Sequence, residues 1–452
     1  MIDAPEAQQN ALTPEGSPVW GLGQRTVALV KAKPLMANAM LFVAGYYLMP
    51  NGWLQLCWLL GLLMIQACAL KVPDLLLGLR QDRWIKATVG YLVFGVLGSL
   101  LVNSQEASLP AVVSWTGGGA LLALFLLMMW QVGRDASMSR LMGQIIAGTG
   151  SVAAIGSVVF FYLVEPGGLI GDRLQNWFVY GGLHPVCAGL MWGFAATWAA
   201  CRWGEARRGN EKRWWLAALL VLTAATLLTL SRGALLSLGA GHAALFLVRG
   251  WRKAWRPCAI LAGMILAFQL SAPLVTRLAD FQESLKTGDV IGRDHARQEL
   301  GEVVVTHNPV KELCQRGDNG RLELYRHVLA AMTGTADVVF GKGLWASDRA
   351  WQAGMSWAPE HMHSIFVSTF YHHGGLGLLG LLGLLGWGLW RCGVASRSGQ
   401  DLWLVLACYG VMALTFDGHS MQTLISVPRF EALLLWLPLV MGCAASSRQA
   451  EN

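Results

Sequence analysis

The sequence is dominated by long apolar runs that recur along most of its length and contain few charges. A membrane-spanning helix needs about 20 predominantly apolar residues. Only 13% of the 452 residues are charged, against about 25% in soluble proteins, which excludes a water-soluble protein. The sequence therefore predicts an all-α polytopic membrane protein with about twelve transmembrane helices. The predicted spans lie near residues 34–50, 53–70, 85–103, 110–132, 141–164, 178–201, 213–230, 233–248, 256–275, 363–390, 402–416 and 424–444.

The basic residues between these runs are unevenly distributed. If the N-terminal tail is cytoplasmic, most of the 34 Lys and Arg residues fall on cytoplasmic segments, and the short outer loops carry almost none. This asymmetry follows the positive-inside rule and predicts cytoplasmic tails at 1–33 and 445–452. The net charge of +7 then reflects topology and does not suggest nucleic acid. Membrane lipids are the expected partners of the Arg-rich inner loops, as headgroup contacts.

One extramembrane segment is too long to be a simple connector. Residues 276–362 separate the predicted spans of 34–275 from those of 363–444, and we expect them to form a loop domain on the outer side. Two helices are predicted within it, at 292–304 and from Arg321 onward. In the second helix, apolar residues recur at helical spacing: Leu322, Tyr325, Val328, Leu329 and Met332.

Several common catalytic patterns do not occur in the sequence. The nine cysteines are scattered, mostly within apolar runs, and are interpreted as small core residues. The chain contains no Asp-x-Asp pair, no P-loop, no Gly-x-Ser-x-Gly and no His-Glu-x-x-His. Metal-assisted sugar transfer, nucleotide hydrolysis and serine or zinc hydrolysis therefore lose support, and we expect neither a metal nor a cofactor.

Arginines at the outer face are candidate functional residues, because charges at a membrane edge are costly. Arg232 lies between two apolar runs without an acidic neighbour; a headgroup contact is the alternative. Arg321 begins the loop helix, where a guanidinium and backbone N–H groups together suit a phosphate. Arg173 has Asp172 beside it, which favours a local surface pair. Arg326 is well explained by a solvated helix face.

His363 lies where the outer loop re-enters the membrane. A histidine at this position can act as a general base; adventitious metal binding with His361 or a purely interfacial role are the alternatives. A cationic, metal-free site with one base suits the transfer of a group that is activated by a pyrophosphate. The arginines would neutralise the leaving diphosphate, and His363 would take a proton from an acceptor hydroxyl.

The residues around His363 resemble a known family signature. His363 and Ser364 are followed, after nine residues, by Gly374-x-x-Gly377. This pattern resembles the His-[Asn/Ser/Gln]-x9-Gly-x-x-[Gly/Thr/Tyr] signature of bacterial O-antigen ligases. Arg232 in SRGALLSL is similar to the Arg-x3-Leu element of those proteins.

Two further segments are similar to patterns of the wider superfamily, which includes O-antigen polymerases and protein O-oligosaccharyltransferases. GRLELYRHVL followed by VVFGKGLW resembles the Gly-Arg-x3-Trp/Tyr and Phe-Gly-x-Gly pattern. Arg173 with His184-Pro185 resembles an Arg plus His-Pro-Asn element, although Val186 stands where Asn is usual.

The resemblance implies an inner-membrane enzyme of the GT-C glycosyltransferase type. It would move O-antigen polysaccharide from undecaprenyl diphosphate to a sugar hydroxyl of lipid A-core at the periplasmic face, with inversion and without metal. In that picture His363 is the base, and Arg232, Arg321 and Arg173 bind the donor diphosphate. Ser364 and Arg326 are secondary site candidates, and the 276–362 loop is a periplasmic wall over the acceptor.

Three alternatives remain open. A polymerase of the same superfamily typically shows two Arg-rich outer loops, whereas only one large loop is present. A protein O-oligosaccharyltransferase shares the histidine chemistry but uses a polypeptide hydroxyl as acceptor. A lipid or polysaccharide transporter would place charges along several spans, and such mid-span charges are nearly absent here.

Overall fold

The regular structure of the chain is helical. In the computed structural model, the described part of the chain contains helices and no strand, which confirms the all-α prediction. Five of its helices are long and apolar enough to cross a membrane, as expected for a polytopic membrane protein. The structure describes residues 34–49, 54, 57–58, 76–165, 168, 170–178, 184–207, 209–287, 320–346, 349–355, 359, 361–418 and 430–451.

The helices are numbered here in chain order. Two π-helical turns, Phe160–Val164 and Ala432–Trp436, lie directly after residue 159 and directly before residue 437. The helices are α1 Pro34–Leu48, α2 Leu77–Gln81, α3 Arg83–Val102, α4 Leu109–Gly133, α5 Ala136–Val159, α6 Pro185–Glu205, α7 Gly209–Leu228, α8 Arg232–Arg249, α9 Trp251–Thr287, α10 Arg321–Ala330, α11 Thr335–Phe340, α12 Arg349–Gln352, α13 Ile365–Arg397, α14 Leu402–Asp417 and α15 Leu437–Glu451.

The helices agree with the predicted spans to different degrees. The five candidate membrane spans lie in α3, α4, α5, α9 and α13, where spans were predicted. The apolar parts of α1 and α14 are shorter, and α6, α7 and α8 also coincide with predicted spans. The predicted span at 53–70 and the predicted loop helix at 292–304 lie almost entirely outside the described residues. The total of twelve therefore stays a prediction.

Helix α6 forms the centre of the bundle, and its residues are almost all buried from Ala188 to Cys201. Its many Ala and Gly residues let neighbouring backbones approach closely. Aromatic residues then fill the remaining space: Trp198 packs edge-on against Trp403 of α14, with ring centroids 5.4 Å apart. The hydroxyl of Tyr409 donates to the backbone oxygen of Leu190 over 2.7 Å. Helix α14 is thereby held directly against α6.

Ion pairs connect the helices at one end of the bundle, termed the basic end. Arg249 at the end of α8 contacts Glu205 of α6 and Asp401 beside α14. Arg391 of α13 lies 3.1 Å from the buried carboxylate of Asp82, which caps α3. These two arginines, expected from the sequence to bind headgroups, connect helices instead. The opposite end, termed the site end, contains the ends of α7 and α14 and the starts of α6, α8 and α13.

Helix α9 extends past residue 275, where the outer loop is predicted to begin. Helix α9 continues without a break to Thr287, so its last turns extend into the segment assigned to the loop domain. After residue 319 the described part of the loop packs against Tyr371 of α13 in a small core that is distinct from the main core. This core consists of Leu324, Val328, Met332, Trp351, Met362 and Tyr371.

Candidate active site

Three of the predicted arginines converge on one carboxylate at the site end. Asp417, the last residue of α14, has a side chain that is only 3% exposed. Its Oδ1 accepts a hydrogen bond from Nη2 of Arg321, and Arg173 and Arg232 lie close enough to interact with it electrostatically. Segments far apart in the sequence thus contribute to one cationic cluster.

Asp417 was missed in the sequence analysis. The signal that marks it is a single acidic residue that directly follows the apolar run 402–416. Ionisable residues at membrane depth are functional candidates by default. The same argument that selected Arg232 would therefore have selected Asp417.

The turn between α7 and α8 positions Arg232. Ser231 caps α8, with its Oγ accepting from the backbone N–H of Ala234 over 3.3 Å, so that Arg232 is the first helical residue. Leu230, just before the cap, has a positive φ of 50°, which is rare for a residue other than glycine. A Cβ at Gly233 would overlap the carboxylate of Asp417. Glycine at this position therefore lets the first turn of α8 lie against Asp417.

Arg173 is held beside the same turn. Its Nε donates to the backbone oxygen of Thr229 over 3.1 Å. The next residue, Leu174, donates its backbone N–H to Leu228 over 2.9 Å. The segment that contains Arg173 therefore lies along the end of α7, which places its guanidinium near Asp417. This arrangement goes beyond the local pair with Asp172 that the sequence favoured.

Arg321 is positioned by the small core of the outer loop. It is the first residue of α10, which starts after Gly320, a residue in the left-handed conformation. Leu324 and Val328 bury one face of α10 in that core. Leu322 and Leu329 share the apolar helical spacing noted in the sequence but do not belong to this core, because they are 60% and 57% exposed. Arg326, on the same helix, is exposed as expected for a solvated position.

His363 lies next to this cluster, immediately before α13. Its backbone has a φ of 52°, and its ring packs on that of His361 with centroids 3.9 Å apart. Burial, His361, Arg321 and His184 together lower the pKa of His363 to about 3. His363 is therefore neutral near pH 7, which is the state that a general base requires.

Two contacts fix His363 relative to the arginines. The buried Ser364, which is the N-cap of α13, hydrogen-bonds the hydroxyl of Tyr325 on α10. A Cβ at Gly418 would contact Ile365, so the end of α14 touches the start of α13. Ser364 thus connects the helix that carries Arg321 to the segment that carries His363.

The glycines of two predicted motifs contact each other. Gly341 and Gly374 have φ values of 82° and 62°, and Gly374 interrupts the regular helix of α13. A Cβ on Gly341 would overlap the backbone of residues 372–373, and one on Gly374 would overlap that of residues 339–340. The backbone of Gly343 donates to His372 over 2.9 Å. The Phe-Gly-x-Gly segment therefore packs directly on the His-x9-Gly segment.

We expect Gly374→Ala to destabilise the protein. The conformation of Gly374 costs other residues about 1–3 kcal/mol, and the overlap with residues 339–340 adds to this. The matched control is Gly383→Ala on the same helix, since a Cβ there meets nothing within 4 Å. Thermal unfolding in detergent should show a lower midpoint for Gly374→Ala and little change for Gly383→Ala. Equal midpoints would contradict the close packing described here.

The chemistry of the site is that of an anion receptor beside a base. Three guanidinium groups and one carboxylate leave net positive charge, and guanidinium groups can bind phosphate oxygens in pairs. Within the described residues, no group of three or more His, Cys, Asp or Glu side chains is placed to hold a metal ion. The arginine cluster beside a neutral imidazole is therefore suited to an anionic group.

The fold and the site define a helical membrane protein with a cluster of arginines at one end of its bundle. A comparison with protein-family models matches residues 217–382 to the O-antigen ligase family. This match supports an O-antigen ligase family member and confirms the resemblance drawn from the motifs. The matched segment contains Arg232, Arg321 and His363, whereas Arg173 and Asp417 lie outside it. No curated protein matches the sequence.

Proposed function

We propose that this protein transfers O-antigen polysaccharide from undecaprenyl diphosphate to a sugar hydroxyl of lipid A-core oligosaccharide. The family match supports ligase or polymerase chemistry on lipid-linked polysaccharides in a membrane. The observation that carries the proposal is the convergence of Arg173, Arg232 and Arg321 beside a neutral His363. Diphosphate binding and proton removal are the two tasks that such a transfer requires.

The proposed step is a single inverting displacement. A ring nitrogen of His363 takes the proton of the acceptor hydroxyl while that oxygen forms a bond to the anomeric carbon of the donor glycan. The bond from this carbon to the diphosphate oxygen breaks, and undecaprenyl diphosphate leaves with the electron pair. The arginines neutralise the charge that develops on the leaving group, an electrostatic contribution often among the largest in catalysis.

Donor binding also raises the pKa of the proposed base, His363. The positive charge of Arg321 is one of the causes that lower the pKa of His363. A bound diphosphate offsets that charge, so the pKa of His363 rises toward its usual range when the donor is in place. A base is most effective when its pKa lies near the working pH. Asp417 holds Arg321 in position before the donor arrives.

The location of the site is part of the proposal. The cluster lies at the opposite end of the bundle from Arg249 and Arg391, and the Arg-rich loops follow the positive-inside rule. This arrangement supports a site at the periplasmic face of the inner membrane, with both termini in the cytoplasm. Both substrates are anchored in the membrane, and their orientation by the protein contributes much of the rate enhancement. Effective molarities of well-oriented reactants reach about 10^5 M or more.

Acceptor specificity is tested by reconstitution. The purified protein in liposomes receives an undecaprenyl-diphosphate-linked glycan together with lipid A-core, with a pilin-type protein, or with no acceptor. We expect glycan on lipid A-core only. Glycan on the pilin-type protein would indicate an O-oligosaccharyltransferase, and longer lipid-linked chains without acceptor would indicate a polymerase. Movement of the intact donor across the bilayer without transfer would indicate a transporter.

Metal independence is a separate prediction. We expect transfer in the same liposomes to continue at an unchanged rate after dialysis against a strong chelator, because guanidinium groups take the charge of the diphosphate in the proposed step. The measurement is the initial rate with and without chelator. Loss of activity that added divalent cation restores would overturn the metal-free mechanism.

A further inference from the structure

One face of α9 packs against the protein, although most of this helix is exposed. Only 11% of its most apolar stretch is buried. From Phe268 onward, the residues that are buried or line a small cavity are spaced alternately by four and three: Ala272 and Ala279 are 4% and 0% exposed, and Phe268 and Val275 line the cavity. Residues at this spacing share one side of a helix. The next position on that side is Gln282.

Gln282 binds the chain that follows α5. Its Nε2 donates to the backbone oxygens of Tyr162 and Gly168 over 2.7 and 3.2 Å. Its Oε1 accepts from the backbone N–H of Ile170 over 2.8 Å. A side-chain amide is both a donor and an acceptor, and Gln282 uses both functions on a single stretch of backbone. Helix α9 therefore holds this stretch through one side chain.

The stretch bound by Gln282 leads directly into Arg173. The hydroxyl of Tyr162 donates to the backbone oxygen of Asp172 over 2.9 Å, one residue before Arg173. On the other side of Arg173, the backbone N–H of Leu174 donates to the end of α7 over 2.9 Å. Gln282 and α7 thus hold the chain on either side of this arginine.

Arg173 depends on such contacts more than the other two arginines of the cluster. Arg232 and Arg321 are the first residues of α8 and α10, so regular helices hold them. Arg173 lies on irregular chain between α5 and α6. Ordering an irregular segment when a ligand binds costs conformational entropy, and order that exists beforehand lowers that cost. The bonds from Gln282 supply this order.

We propose that Gln282 is a positioning residue that holds Arg173 ready for the diphosphate of the lipid-linked donor. This inference rests on the proposed function, which assigns the diphosphate to the arginine cluster. Gln282 acts through the backbone that leads to Arg173 and takes no part in making or breaking bonds. The extension of α9 beyond residue 275 therefore has a specific task at the site.

The first measurement is the binding of geranyl diphosphate, a diphosphate without a glycan, to the protein in detergent. Gln282→Leu approximately keeps the size of the side chain but removes its donor and its acceptor. We expect this variant to bind the probe about tenfold more weakly than the wild type, because Arg173 is no longer ordered in advance. The matched control is Gln269→Leu, the same change at an exposed position of α9, which should bind as the wild type does.

A double-mutant cycle with Arg173→Ala separates positioning from a general loss of structure. Residues that act through one another have non-additive effects. Gln282→Leu should therefore weaken binding no further once Arg173 is replaced. Tyr162→Phe is a milder second variant, because it removes only the hydroxyl that bonds Asp172. Its effect on binding should also disappear in the Arg173→Ala background.

Hydrogen exchange provides a readout that needs no ligand. Gln282→Leu should speed amide exchange in residues 170–178, because ordered backbone is protected from exchange, whereas Gln269→Leu should leave it unchanged. Wild-type affinity of Gln282→Leu for the probe would overturn the proposal. An equal loss of affinity with and without Arg173 would also overturn it, since Gln282 would then act by another route.

These outcomes separate the positioning role from the proposed function. Binding and exchange need no acceptor, so a loss of affinity that depends on Arg173 supports the role of Gln282 even if the liposomes show no transfer. Transfer by the wild type together with unchanged binding by Gln282→Leu would instead support the glycan reaction and refute the positioning role.

Discussion

Replacement of His363 by Ala should abolish glycan transfer. Loss of a general base typically lowers rates by about 10²- to 10⁴-fold. Because His363 has a positive φ, Ala at this position also strains the backbone. His363→Asn is therefore the better variant, since Asn tolerates positive φ but lacks the basic ring nitrogen. Both variants should lose transfer in the liposome assay while His363→Asn keeps the wild-type unfolding midpoint.

The pH dependence of kcat/KM gives an independent check of the same residue. With its pKa lowered to about 3 in the free enzyme, His363 stays neutral as the pH falls from 8 to 6.5. A histidine with the usual pKa would be half protonated at pH 6.5. The contribution of His363 to kcat/KM should therefore be constant over this range. A twofold loss at pH 6.5, or substantial transfer by His363→Asn, would contradict the assignment.

Arg232→Lys and Arg321→Lys should each be strongly impaired, although the charge is kept. A guanidinium binds two phosphate oxygens with a planar fork, which an ammonium group does not reproduce. Arg321 also donates to Asp417, and a lysine would not maintain both contacts. We expect kcat/KM to fall by about 100-fold, the usual effect of removing one donor to a developing anion. The Ala variants should fall further.

Arg326→Lys is the matched control for Arg321→Lys. Both residues lie on α10, but Arg326 is exposed, whereas the side chain of Arg321 is 25% exposed and paired with Asp417. The control should retain nearly full activity. If Arg321→Lys is equally active, charge alone is sufficient and the forked contact to the diphosphate is refuted. If Arg326→Lys is equally impaired, the site extends further along α10 than proposed.

The residues predicted to form the candidate site stand out in the sequence because they break an otherwise apolar pattern. His363, Arg173, Arg232 and Arg321 were selected as charged or titratable residues at the membrane edge, and the structure brings them together. The motif glycines were selected by spacing, and the structure explains two of them: Gly341 and Gly374 permit backbone contact between two motifs. Their proposed catalytic roles await the experiments above.

Other features of the site depended on contacts between distant segments. Asp417 was not selected from the sequence, and only contacts between distant segments place it beside Arg321. For Arg173 the sequence favoured a local pair with Asp172, and the structure adds a hydrogen bond from its Nε to the backbone oxygen of Thr229. Leu322 and Leu329 shared the apolar spacing of α10, yet the small core of the loop buries Leu324 and Val328 instead. Periodicity identifies a helix but not which side of it faces a neighbour.

The sequence by itself determined that the chain is helical and membrane-spanning. Its apolar runs favour transfer into a bilayer. Backbone hydrogen bonds must be satisfied within each such segment there, and a helix does this. Its charge pattern also selected most of the candidate site residues. Only the tertiary structure brought three arginines close to Asp417. It also placed Ser364 within hydrogen-bond distance of Tyr325. These features arise from the packing of helices that are distant in sequence, and hydropathy and local spacing contain no information about that packing.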